Sequence, residues 1–349
     1  MKRIKVGISG IGRAGWNIHG KTLSKLKDMY EIVAIFDPLR ERREEAFKKF
    51  HCRTYDDYDH FLEDKEVELV IIASPTYLHG EQTLKAFEQG KNVVCEKPMA
   101  ENSEKAEELI NLAKKYGLIY SVFHNRRYDP DYKKILQIIN EKKIGEPFLI
   151  KSNYHLFSRR WDWQALKKFG GGELRNSGAH FLDQLLGFYH DEEPEVMFCD
   201  LKRTISLGDA EDHVKIILKG RSGLVCDLEI SRGCAYPQER WLIMATRGGI
   251  WGTETLIKWK WVKEEDIVER RLEEGAAPGR LYNSEKIPWH EESWECPKNL
   301  PTTFEAYYID FYNAYVNGKP PPVSPESSAE VLKLIEKCER IASEGGKQE

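Results

Sequence analysis

Three short stretches set chemically capable residues at spacings with a physical reading. In GIGRAG, glycines stand at positions 10, 12 and 15. Between a strand and a helix, Gly10 permits the tight turn, Gly12 lets the backbone approach a pyrophosphate, and Gly15 allows helix and sheet to pack closely. Arg13 and Ala14 lie in the same turn, where the first N–H groups of the helix face phosphate oxygens. Asp37 closes the next apolar run, EIVAIFD. A carboxylate there accepts hydrogen bonds from ribose hydroxyls and repels a 2′-phosphate, which favours NAD over NADP. Arg40, with Arg42 and Arg43, follows at once; these either soften that preference or form a solvated helix face.

The second stretch, NVVCEKPMAEN, runs through Val93, Val94 and Cys95 as a buried strand and then sets Glu96, Lys97 and Pro98 in succession. Ligands bind at the C-terminal ends of parallel strands, so Glu96 and Lys97 are expected at the cofactor crevice. Pro98 biases Lys97 towards an extended backbone and removes one donor. The third stretch is NSGAHFLD, whose Asn176, His180 and Asp183 are spaced to share one helix face. His180 is a natural general base because imidazole titrates near neutral pH; the plainer alternative is a core histidine beside Phe181 and Leu182.

The elements that position these residues follow from periodicity. IKVGIS, EIVAIFD, ELVIIAS, NVVCE and LIYSVFH read as strands, separated by helical patterns that include HGEQTLKAFEQG and a helix from an N-cap at Ser103 to Tyr116. Strands alternating with helices imply a right-handed, doubly wound parallel sheet. Beyond Asn125 the pattern changes. A helix from Tyr132 to Asn140 leads into PFLIKSNYH, EVMFCDLKR, HVKIILKG, GLVCDLEIS and RWLIMAT, strands without intervening helices, with a hairpin at KGRSGL. That sheet is expected to be large, open and mostly antiparallel. Ser324 and Pro325 start a terminal helix spanning 325–343.

Length and composition narrow the function. With 349 residues, two domains are expected, divided at 1–124 and 125–349. Lys and Arg number 53 against 57 Asp and Glu, so no basic surplus suggests a nucleic-acid partner. No apolar run is long enough to span a bilayer, and the N-terminus leaves no room for a signal-peptide core, so a cytoplasmic location is expected. Seven scattered cysteines without a C-x-x-C pair argue for reduced thiols, and no His, Cys, Asp or Glu grouping has metal-ligand spacing.

Taken together, GIGRAG, SPTYLHGEQTLKAFEQGKNVVCEKPMA, HNRRYDP, KIGEP, GGGELRNSGAHFLDQLL and PPPVSPESSAEVLKLIEKC resemble blocks of the Gfo/Idh/MocA family, in family order and over most of the chain. The resemblance implies an α/β fold class: an N-terminal Rossmann domain plus a C-terminal α/β domain carrying the open sheet. It implies an NAD-dependent oxidoreductase acting on sugars, inositols or related polyols and their keto forms, assembled as a homodimer or homotetramer. It places Lys97 beside nicotinamide and substrate, and sets Ser74, Pro75, Thr76 and His79 near the cofactor, with a helix-start role as the alternative for Thr76 and His79. In the family's D-x-G-x-H-x-x-D signature this chain has Asn176 where many members have Asp, and an amide cannot take a proton. His180 is then the catalytic base, Asn176 orients the substrate, and Asp183 binds a second hydroxyl or orients His180. Arg127 either reaches the cleft or anchors the loop before Pro130, and Trp161 and Trp163 either face a sugar ring or pack in the core. Two other classes remain open: a glycosidase or lyase that retains NAD and oxidises its sugar transiently, and a non-catalytic NAD-binding regulator.

Overall fold

A computed structural model describes residues 2–190, 192–275 and 282–345. Six strands, β1 (Ile4–Ser9), β2 (Tyr30–Phe36), β3 (Arg53–Tyr55), β4 (Leu69–Ile72), β5 (Asn92–Cys95) and β6 (Tyr120–Val122), form one sheet in the order β3-β2-β1-β4-β5-β6. Every pairing in it is parallel. The order reverses between β1 and β4, which opens a crevice above the strand ends. The first face is covered by α1 (Lys21–Lys25) and α2 (Arg40–Phe50), the second by α3 (Tyr58–Leu62), α4 (His79–Glu88) and α5 (Ser103–Tyr116). Burial on both faces explains why β4 reads Leu-Val-Ile-Ile without alternation. The cap of α5 is Asn102, whose side chain accepts the Lys105 N–H, rather than the expected Ser103, whose hydroxyl instead bonds Glu336.

The second sheet has eight strands: β7 (Pro147–His155), β8 (Glu195–Lys202), β9 (His213–Lys219), β10 (Val225–Ser231), β11 (Trp241–Ala245), β12 (Gly248–Gly252), β13 (Leu256–Trp261) and β14 (His290–Glu295). Only the β7–β10 pairing is parallel. One face packs on α6 (Pro130–Asn140), α7 (Ala179–Leu186) and part of α9 (Pro325–Gly345), around Ile135, Phe181, Leu182, Ile216, Leu228 and Trp241. The expected hairpin at KGRSGL joins β9 to β10.

Helix α8 (Thr303–Val316) crosses the expected division of the chain. It lies beyond residue 125, yet Tyr307, Tyr308, Phe311 and Tyr312 pack with Ile4, Val6, Ile8 and Ile35 of the first sheet. The chain therefore returns to its first unit to cover the β1 face. Helix α9 joins both cores, Ala329 and Leu332 meeting the first and Val331, Leu334 and Ile335 the second. Among the described residues no helix is long and apolar enough to cross a membrane.

Candidate functional site

The glycine turn follows β1 at the crevice. Gly10 has φ +83°, and a β-carbon there would press on the backbone of Ser74. A β-carbon on Gly15 would collide with the carbonyl oxygen of Gly10, so the turn closes only with hydrogen at that position. Gly12 by contrast faces open space up to Arg42. That is the cradle a pyrophosphate needs, and the residues present fit a dinucleotide. The turn from Ala14 to Gly20 is π-wound rather than the expected α-helix; Gly15 and Gly20 offer no side-chain resistance to the wider winding.

Asp37 is buried, its Oδ2 accepting the Ile11 N–H and its Oδ1 the Leu39 N–H, each at 2.9 Å. It thus pins the glycine turn, with a lone pair left on Oδ1. Arg40 does not reach the crevice: its Nε lies 2.7 Å from Glu44 on the solvated face of α2. Two positions on, nearly half-way around the helix, Arg42 Nη1 stands 3.5 Å from Asp37 Oδ2. Of the two arginines it is Arg42, and not Arg40, that meets Asp37.

Across the crevice Ser74 and Ser9 both donate to Gln82 Oε1, at 2.8 and 2.9 Å. His79 is buried between the carbonyls of Pro98 (Nδ1, 2.7 Å) and Ser74 (Nε2, 2.9 Å). It braces the Pro75–Thr76 turn against the turn that carries Lys97. Thr76 lies against Gly170 of the other unit.

Lys97 crosses between the units. Its Nζ donates to the backbone oxygen of Asn176 at 2.7 Å and lies 3.2 Å from Asn176 Oδ1. Burial pushes the ammonium down to about 8; Glu96 and Glu173 resist that fall, while Arg126 and Arg160 add to it. Asn176 sits in a π-wound turn, Leu174–Gly178, that runs directly into α7 and His180. Among the described residues His180 has no hydrogen-bond partner, and its Nδ1 is buried without one. Burial first, and then the positive charges of Lys97 and Arg126, hold this imidazole neutral well below its ordinary range.

Asp183 does not orient His180. Arg127 grips it from both sides, Nε to Oδ2 at 2.8 Å and Nη2 to Oδ1 at 2.5 Å, and also bonds Ser327. A third imidazole, His124, sits 3.7 Å from Asp183 and edge-on to His180 with ring centroids 6.0 Å apart. Burial drives His124 down to about 4 against the pull of Asp183. His124 was absent from the sequence reading, although it opens the HNRRYDP block. Arg126, also missed, lies over Phe181 at 5.1 Å and pairs with Asp129. Glu173, buried at the start of this turn, is held by Arg232 and Ser177. Trp161 is 77% exposed and Trp163 begins a 3-10 turn; among the described residues neither hydrogen-bonds or stacks with this group.

Comparison with known proteins agrees with this fold. Residues 4–124 match the model of an oxidoreductase family with an NAD-binding Rossmann fold, and residues 132–251 match a Gfo/Idh/MocA C-terminal domain. An oxidoreductase of Schizosaccharomyces pombe is 26% identical over 340 residues, 90% of this chain and 89% of its own. The scyllo-inositol 2-dehydrogenase (NADP(+)) of Bacillus subtilis is 33% identical over 189 residues, 53% of this chain and 52% of its own. An NAD-binding protein from Listeria innocua superposes with a TM-score of 0.82 at 27% identity, covering 99% of both chains. The chain belongs to the Gfo/Idh/MocA family of NAD(P)-binding oxidoreductases.

Proposed function

We propose that the protein oxidises a secondary hydroxyl of a sugar, inositol or related polyol, or reduces the matching ketone, with NAD as the preferred cofactor. The observation that carries the reading is the bridge from Lys97 Nζ to Asn176, with the unpartnered His180 ring in the helix that follows. In the oxidation direction His180 Nε2 takes the hydroxyl proton, a role that requires the neutral ring favoured by its burial. Lys97 donates to the same oxygen and stabilises the charge that develops on it. Asn176 fixes the direction of that ammonium, and Arg127 keeps the buried Asp183 from competing for it. A nicotinamide dinucleotide held at the glycine turn and Asp37 would supply the hydride acceptor for the substrate carbon.

Preference for NAD draws support from the Asp37 carboxylate at the end of β2; Arg42 beside it reduces the repulsion of a 2′-phosphate, so both cofactors belong in the test. Self-association through the second sheet is supported by Phe148, Met244 and Trp251 on its uncovered face. The test is steady-state reduction of NAD and of NADP by the purified protein across cyclic and acyclic polyols. Sustained accumulation of reduced cofactor is expected with NAD. Tight NAD binding without turnover, or product formed without net reduction, would reject this reading in favour of a regulator or a transient-oxidation enzyme.

A further inference from the structure

His124 takes no part in the proposed reaction steps, yet its ring meets both Asp183 and His180. It lies two residues beyond β6, the neighbour of the strand that leads to Lys97, and is buried. Its backbone is held on both sides, the N–H donating to Val122 O at 2.8 Å and the carbonyl accepting the Arg127 N–H at 3.1 Å. Its Nδ1 stands 3.7 Å from Asp183 Oδ2, beyond a normal hydrogen bond. The His180 ring meets it at 89° with centroids 6.0 Å apart, an edge-to-face contact. The Nδ1 atoms of both rings are buried without a hydrogen bond. Packing, and no polar bond at either Nδ1, thus sets the two rings against each other.

His180 and Asp183 stand three residues apart in α7, a spacing that puts two side chains on one helix face. A histidine and a carboxylate so placed can pair, but here His180 Nδ1 has no partner. Arg127 draws on both Asp183 oxygens and is itself tied to Ser327 of α9. That grip alone does not forbid the pairing, because each carboxylate oxygen has a second lone pair. The further obstacle is the His124 ring, set against the carboxylate and the imidazole together. We propose that His124 is a positioning residue for His180: its ring is a spacer that keeps the imidazole off Asp183 and so leaves it free for the substrate oxygen. The inference rests on the reading of His180 given above. The charged and titratable groups that face His180 are Lys97, Arg126 and His124, and those that face His124 are Asp183, Arg127, Lys97 and Glu96. Lys97 and Arg126 oppose a proton on His180, whereas a freed contact with Asp183 would favour one.

NMR of histidine-labelled full-length protein, with the His180 signal assigned by its loss in His180→Gln, follows that ring without substrate or cofactor. In the wild type the ring is expected to stay neutral from about pH 8 down to about 5. In His124→Ala, with room to reach Asp183, it is expected to take up a proton inside that window. His124→Val fills more of the space without a ring and carries the same expectation should the alanine variant fail to fold. His124→Phe keeps an aromatic edge against His180 and is expected to restore the wild-type titration. On the best polyol, His124→Ala is expected to lower kcat by about a hundredfold, the size for a misplaced reacting group, with little change in KM. A new acid limb in kcat/KM should accompany the loss, which a merely structural role would not produce. A His180 ring that stays neutral across the window in a ringless variant that melts like the wild type overturns the inference. Proton uptake in that variant, with no polyol oxidised even by the wild type, would leave the spacer role standing and reject the proposed function instead.

Discussion

The glycine-loop side of the crevice and the pocket above Lys97 differ in how completely their polar groups are partnered. On the first side His79 lies between two carbonyls and donates to one of them, Gln82 ties two serines, and Asp37 holds one backbone N–H on each oxygen. In the pocket, among the described residues, the Nδ1 atoms of His180 and His124 are both buried without a hydrogen bond. Buried polar groups are rarely left so, because an unmade hydrogen bond costs about 1–3 kcal/mol. The contrast separates a frame, finished in the free protein, from groups that a ligand completes.

Substitutions in the pocket should therefore cost reaction rate, and substitutions in the frame should cost stability. The largest expected effect is Lys97→Met, a loss of about a hundred- to a thousandfold in kcat, the size for one lost donor to a developing oxyanion. A melting temperature that stays within a few degrees of wild type would place that loss in the chemistry. In the wild type kcat/KM should fall as pH rises through about 8, where Lys97 gives up its proton. His180, held neutral well below its ordinary range, should add no acid limb near neutrality.

Arg127→Ala sharpens the contrast, since it strands the Asp183 carboxylate in a buried setting. Urea unfolding should show a loss of about 3 kcal/mol, the lower end for breaking a buried pair because Arg127 is partly open to solvent. His124 gives a pH signature. Its folded-state value of about 4 lies below the unfolded value of about 6.5, so the unfolded chain binds more protons between them. Stability should fall as pH drops through that window, by at most about 3 kcal/mol, and His124→Phe should flatten the fall. Gly10→Ala, at φ +83° and against the backbone of Ser74, should cost about 1–2 kcal/mol and weaken dinucleotide binding, read by quenching of intrinsic fluorescence. The smallest effect belongs to Trp161→Ala: the exposed ring should leave stability within about 0.5 kcal/mol, and a raised KM alone would show that it meets substrate.

How far the sequence reveals the site depends on chain distance. Lys97 and the glycines were legible because a strand followed by a turn fixes their position locally. Asn176 and His180 were legible through helix spacing, although the first turn proved π-wound. Arg127 with Asp183 was not, since the pair lies 56 residues apart and neither side chain announces the other. His19, in the π-wound turn behind the glycine loop, and Tyr308 are separated by 289 residues, and only the return of α8 to the first sheet brings them together. The run Tyr307, Tyr308, Phe311, Tyr312 signals burial without saying against which sheet. Arg40 and Arg42 show the finer limit, since both follow Asp37 but helix geometry turns only one of them to it.

The claim on which this account turns is that His180 accepts the substrate proton. Single-turnover reduction of bound NAD by the best polyol, wild type beside His180→Ala, tests it without interference from product release. A drop of about a hundred- to ten-thousandfold with unchanged NAD binding is expected. Equal rates in the two proteins would contradict it.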